Sequence, residues 1–124
     1  MHALVVDDSR AIRSVISRML REMGYSVTEA GNGREALDKL ATGELPDLAL
    51  VDWNMPIMDG FALLCELRAD PRHAEMRIMM VTTETEIERM QAALGAGANE
   101  YLMKPFTPDA LREKLGILGL ATAA

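Results

Sequence analysis

The run Leu48–Ala49–Leu50–Val51 constrains the fold more than any other stretch of this chain. Four apolar residues in succession, entered from Pro46–Asp47 and left through Asn54 and Pro56, read as a strand buried on both faces. Asp52 sits where that strand runs out. A carboxylate is a poor strand residue and is costly to bury, so the strand must end at a polar, partly solvated site. Taken alone, Asp52 is equally well an ordinary turn aspartate. The rest of the chain decides between the two.

Ala3–Val6 is a short apolar strand that ends in Asp7–Asp8. The period then changes: Ile12, Val15, Ile16, Met19, Leu20 and Met23 form one helical face, with Arg10, Arg13, Ser17, Arg18 and Arg21 left for solvent. Gly24 supplies the left-handed residue that stops this helix. Tyr25–Ala30 alternates as a strand near a sheet edge, and Asn32 caps a second helix over Gly33–Ala41 with Ala36, Leu37 and Leu40 inward. Asp59–Gly60 turns into a third helix bearing Phe61, Leu63, Leu64 and Leu67, closed by Asp70–Pro71. Ile78–Val81 is a fourth strand ending in Thr82–Thr83. A fourth helix follows from about Thr85, with Ile87, Met90, Ala93 and Leu94 inward. Tyr101–Met103 is a fifth strand running into Lys104–Pro105–Phe106. Thr107 caps a last helix, with Pro108 at its first position and Leu111, Leu115 and Leu118 as its inner stripe.

This five-fold β-α alternation predicts an α/β fold, a doubly wound parallel sheet with five helices and right-handed crossovers. Its 124 residues suffice for one core, so a single domain is expected over residues 1–120, followed by a short tail at 121–124. The small, uncharged stretch Gly116–Ala124 is expected to fray. A net charge of −6 argues against nucleic acid as a direct partner. The single cysteine, Cys65, rules out an internal disulfide and suits a reducing compartment. No apolar run approaches the ~20 residues of a membrane span, so a cytoplasmic location without membrane insertion is expected.

Ligands of open parallel sheets bind at the carboxyl ends of the strands, where the strand order reverses. In the known flavodoxin-like order 2-1-3-4-5, strands one and three are neighbours, which brings Asp7 and Asp8 beside Asp52. Strand four adds Thr82 to the same rim and strand five adds Lys104. Three crowded carboxylates repel unless one protonates or a cation joins them. A magnesium-sized ion wants a few carboxylates, a backbone carbonyl and several waters. Asp8 and Asp52 suit direct ligation, Asp7 ligation through water, and the Asn54 carbonyl lies two residues past Asp52. Carboxylates, magnesium, a movable lysine and a hydroxyl suit phosphoryl transfer, with the Asp52 carboxylate as nucleophile.

The segments Val5–Ser9, Leu50–Gly60, Val81–Glu84 and Tyr101–Phe106 resemble the receiver domain of two-component response regulators. The resemblance spans nearly the whole chain and is strongest to single-domain chemotaxis regulators, through Trp53, Asn54, Glu84 and Tyr101. It implies that Asp52 takes phosphate from a histidine kinase of the CheA-like kind, and that Lys104–Pro105 is cis. It further implies that Thr82, rather than Thr83, forms a switch with Tyr101. Met90, Met103, Phe106 and Lys114 are expected to share the output face as an apolar patch with a charged edge, suited to a partner helix. A monomer is implied, signalling to a flagellar motor switch protein or meeting a phosphatase, with no catalysis beyond its own phosphoryl transfer and autodephosphorylation. One departure stands out: the fourth helix starts with Glu84, Glu86, Ile87 and Glu88 where enteric regulators are basic, so a partner there needs different electrostatics.

Rival readings fit less well. A haloacid-dehalogenase-type phosphatase needs an acid two residues past its nucleophile, where this chain has Asn54. A flavodoxin-like electron carrier needs a phosphate-cradling loop after strand one, where Asp7–Asp8 would repel the phosphate. A phosphate sink that drains a kinase without motor output stays open.

Overall fold

The computed structural model describes residues 1–83 and 87–120, with only the backbone at Ile87. Five strands alternate with five helices: β1 His2–Val6, α1 Arg10–Glu22, β2 Ser26–Ala30, α2 Gly33–Thr42, β3 Leu48–Asp52, α3 Gly60–Ala69, β4 Arg77–Thr82, α4 Ile87–Gly95, β5 Glu100–Met103 and α5 Pro108–Ile117. All pairings are parallel and the sheet order is β2-β1-β3-β4-β5, so β2 is an edge strand as expected. Every residue of β3 is buried.

Alternation along the strands divides the core in two. Leu4, Val6, Ala49, Val51, Ile78 and Met80 pack with residues of α2, α3 and α4. Ala3, Val5, Leu48, Leu50, Met79 and Val81 pack with residues of α1 and α5. By the same alternation, Asp7 and Asp52 continue the α1/α5 side of the sheet, whereas Thr82 continues the α4 side. Tyr101 also packs on the α4 side.

The helix ends follow the chemistry of their caps. Ser9, Asn32, Asp59 and Thr107 each accept a backbone N–H from the first turn, and Gly24 takes a φ of 97° after α1. Other expectations need correction. Ile12 and Val15 are 38% and 51% exposed, while Ser17 is fully buried. The buried face of α1 is centred on Ile16 and Leu20 and rotated toward Ser17, because the expected stripe is wider than the helix's contact with the sheet. Among the described residues, the Ser17 hydroxyl is the one buried side-chain polar group without a hydrogen bond. Leu94 is exposed, since α4 meets the sheet through Met90 and Ala93. Leu120 is the last described residue of the C-terminal stretch. Its N–H reaches the Leu115 carbonyl at 2.9 Å, and its side chain packs on the α1/α5 core. The expected start of α4 near Thr85 and the tail at 121–124 fall outside the described residues.

Candidate functional site

The carboxyl ends of β1, β3, β4 and β5 meet at one rim. Asp7 directly follows β1, and its backbone N–H bonds the Ala30 carbonyl at 3.1 Å, so it is fixed to the sheet. Its Oδ1 accepts the Ser9 N–H at 2.9 Å, and its Oδ2 accepts the Lys104 ammonium at 2.8 Å. Ser9 rather than Asp8 caps α1, and Asp8 stands exposed. Asp52 ends β3 at 8% exposure, and its Oδ1 accepts Lys104 Nζ at 3.1 Å. One ammonium therefore bridges two buried carboxylates. Carboxylate oxygens of Asp7, Asp8 and Asp52 lie within 4.8 Å of one another.

This crowding shapes the titration. Burial first, then the Asp7 charge, push the Asp52 carboxyl up to about 6, against an opposing pull from Lys104. Burial pulls the Lys104 ammonium down, but its hydrogen bond to Asp7 and the fields of both aspartates outweigh that, and its pKa is raised. At pH 7.5 the cluster thus holds an anion that is poorly solvated and more basic than an ordinary carboxylate. Such a group is a good nucleophile and a good ligand for a hard cation.

The donor set fits a magnesium-sized ion. All three groups are hard oxygen donors, with exposed Asp8 on the outer side and Asp7 already tied by two hydrogen bonds. A shallow mouth lined by Asp8, Asn54, Met55, Pro56 and Asp59 opens beside them, leaving room for water. Asp8, Asp52 and the Asn54 carbonyl could hold the ion directly, with Asp7 acting through water.

The remaining expected residues are also placed. Thr82 is buried and its hydroxyl donates to the Thr83 carbonyl at 3.3 Å, while Thr83 itself is exposed. The Lys104–Pro105 bond is cis. Trp53 is buried against Phe61, with ring centroids 5.5 Å apart. Glu84 lies outside the described residues. Tyr101 is half-buried, with the Lys114 ammonium 4.5 Å from its ring centre and paired to Glu100 at 3.0 Å.

An expected apolar patch of Met90, Met103, Phe106 and Lys114 does not form. Met90 belongs to the core, and Phe106 packs on the α1/α5 side. There, with Ile12, Val15, Met19 and Pro105, it lines an apolar groove of about 270 Å³ next to Lys104. Sequence reasoning also missed Arg89, whose guanidinium carbon lies 5.8 Å from the Trp53 ring centre. An arginine 36 residues from Trp53, on α4, carries no local signal of that contact.

With this geometry in hand, the family is settled by comparison. Residues 3–116 match the response regulator receiver domain, and the chain belongs to that family. Proteins named for chemotaxis are among its relatives. It is 44% identical to "Chemotaxis protein CheY1" of Helicobacter pylori over 119 residues, covering 95% of this chain and 96% of the relative. It is 45% identical to "Chemotaxis protein CheY homolog" of Campylobacter jejuni over 116 residues, covering 93% of this chain and 89% of the relative. Among solved structures, chemotaxis protein CheY4 of Vibrio cholerae superposes with a TM-score of 0.86 at 39% identity, covering 94% of this chain and 96% of that one.

Proposed function

We propose that this receiver is a phosphorylation-gated binding module whose phosphoryl acceptor is Asp52 and whose donor is a histidine kinase. The observation that carries this reading is the Lys104 ammonium, 2.8 Å from Asp7 and 3.1 Å from Asp52 within a three-carboxylate cluster. The Asp52 carboxylate attacks phosphorus, an O–P bond forms, and the N–P bond of the phosphohistidine breaks with its electron pair going to the imidazole. Magnesium held by Asp8, Asp52 and the Asn54 carbonyl would neutralise charge on the phosphoryl oxygens. Lys104 is free to release Asp52 and follow the new negative charge while its bond to Asp7 keeps it at the site. The chain needs no other catalytic activity for this role.

Asp8→Ala is expected to weaken magnesium binding and slow phosphorylation, because it removes an exposed carboxylate ligand while Ser9 still caps α1. Trp53 is the only tryptophan and adjoins Asp52, so its fluorescence should report magnesium titrations of both proteins. A Trp53 signal that stays silent at saturating magnesium would put the ion elsewhere.

The names of the relatives support an output in chemotaxis, delivered through the face of α4, β5 and α5. A phosphoryl group brings about two negative charges and three acceptor oxygens to the rim. The Thr82 hydroxyl could donate one charge-assisted bond, worth roughly 1.5–3 kcal/mol, by turning from the Thr83 carbonyl. Its movement vacates space on the α4 side, where Tyr101 also packs. Tyr101→Ala should then phosphorylate normally while its response to beryllium fluoride changes. In the native chain, amide shifts with that mimic are expected to extend into residues 87–115. Shifts confined to the rim would sink the switch.

A further inference from the structure

The loop between β3 and α3 is unfavourable in two ways at Ile57. Its φ is 68°, in a region that a β-branched side chain strongly disfavours. The Met58 N–H donates to the Pro56 carbonyl at 2.7 Å, closing a three-residue turn of the rare, strained kind around Ile57. The side chain is also 82% exposed, more than any other large hydrophobic residue described. Asparagine or glycine would relieve the strain, and any polar side chain the exposure.

Packing accounts for the turn but not for the isoleucine. Met58 lies so close over Gly33 that a Cβ there would come within 2.8 Å of its Cγ. Asp59 caps α3, and the Gly60 N–H bonds the Trp53 carbonyl at 2.9 Å. These contacts fix the backbone on the C-terminal side, and Pro56 restricts it on the other. The Ile57 side chain, so widely exposed, contributes little to them.

We propose that Ile57 is a contact residue for the protein that delivers the phosphoryl group, and so helps determine which kinase serves this chain. The inference rests on the reading of Asp52 as acceptor. Asp52 is only 8% exposed and lies beside the mouth lined by Asp8, Asn54, Met55, Pro56 and Asp59, on whose rim loop Ile57 follows Pro56. A phosphohistidine entering by that mouth brings its protein down onto the loop that carries Ile57. Contact with an apolar donor surface would bury the side chain that solvent now surrounds. A small phosphodonor can use the same mouth without touching it.

The test compares Ile57→Asn, Ile57→Leu and the native chain. The kinase used is the source organism's histidine kinase that transfers fastest to the native protein; acetyl phosphate is the small donor. Ile57→Asn should raise the urea midpoint, leave acetyl phosphate labelling unchanged, and slow transfer from the kinase about tenfold, equivalent to about 1.4 kcal/mol. Ile57→Leu keeps an apolar side chain and should transfer within about twofold of native, less than about 0.5 kcal/mol. Native-rate transfer to Ile57→Asn would overturn the proposal. Equal losses in both variants would also overturn it, by tracing the effect to the turn. Failure of both donors to label the native chain would instead remove the reading of Asp52.

Discussion

Asp52→Ala is expected to end phosphoryl uptake from both kinase and small donors, and to make the protein more stable at pH 7.5 in EDTA. Asp52 is the carboxylate at the end of the central strand, where Lys104 joins it to Asp7, and it is the acceptor in the function proposed above. The stability gain follows from its raised pKa. A carboxyl lifted from 3.8 to about 6, chiefly by burial and then by Asp7, is less favourable as an anion in the fold than in the unfolded chain. That penalty is full above about pH 6, fades as pH falls toward 4, and vanishes below it. Removing the group should therefore stabilise by on the order of 1–3 kcal/mol at pH 7.5, the lower end allowing for the lost bond to Lys104. At pH 4 the gain should disappear. Urea midpoints of both proteins at the two pH values check this, and a destabilised variant at pH 7.5 would show that Lys104 dominates burial. Persistent labelling would remove Asp52 as acceptor.

Gly60→Ala should be strongly destabilising, because its added methyl meets backbone more closely than at any other glycine whose surroundings are described. A Cβ at Gly60 would lie 2.2 Å from the Asp52 carbonyl oxygen and 3.0 Å from the Trp53 Cα. Both are backbone atoms at the end of the central strand, and no side chain can swing away. Relief requires α3 to move off β3, at a cost on the order of 3 kcal/mol. The same displacement pulls on Asp52 and Trp53, so magnesium-dependent Trp53 fluorescence should weaken as well. Gly33→Ala is a natural control. Its Cβ would come as close as 2.8 Å, but to Met58, an unbranched side chain that can repack. The urea midpoint should fall much further in Gly60→Ala than in Gly33→Ala. Equal losses would mean that the β3–α3 junction is more pliable than its geometry indicates.

The elements that were legible in the sequence are those in which one physical demand dominates. A run of four apolar residues cannot be satisfied at a surface, and Leu48–Val51 is buried accordingly. Caps declare themselves because a side chain must answer the free N–H groups of a first turn, as Asn32 and Thr107 do. The rim cluster was legible because strand order and strand ends together bring Asp7, Asp8, Asp52 and Lys104 to one place. Helix rotation was less legible. Hydrophobic spacing gives a stripe, but only the sheet decides which part of it is covered, so Ser17 went inside and Val15 outside. The apolar patch around Met90 failed for a related reason, since adjacent elements face different sides of the sheet. Arg89 over Trp53 and the turn at Ile57 depend on tertiary closure and leave no periodic trace.

The division of the core has a consequence for how a message could travel. Asp52 and Thr82 end adjacent strands but continue opposite sides of the sheet. A phosphoryl event at Asp52 thus need not push through the packed interior to reach α4. It can pass around the open end of the sheet, from one strand terminus to the next. Both cores can then stay intact while the outward face changes, as a latch works at the edge of a door without bending the panel.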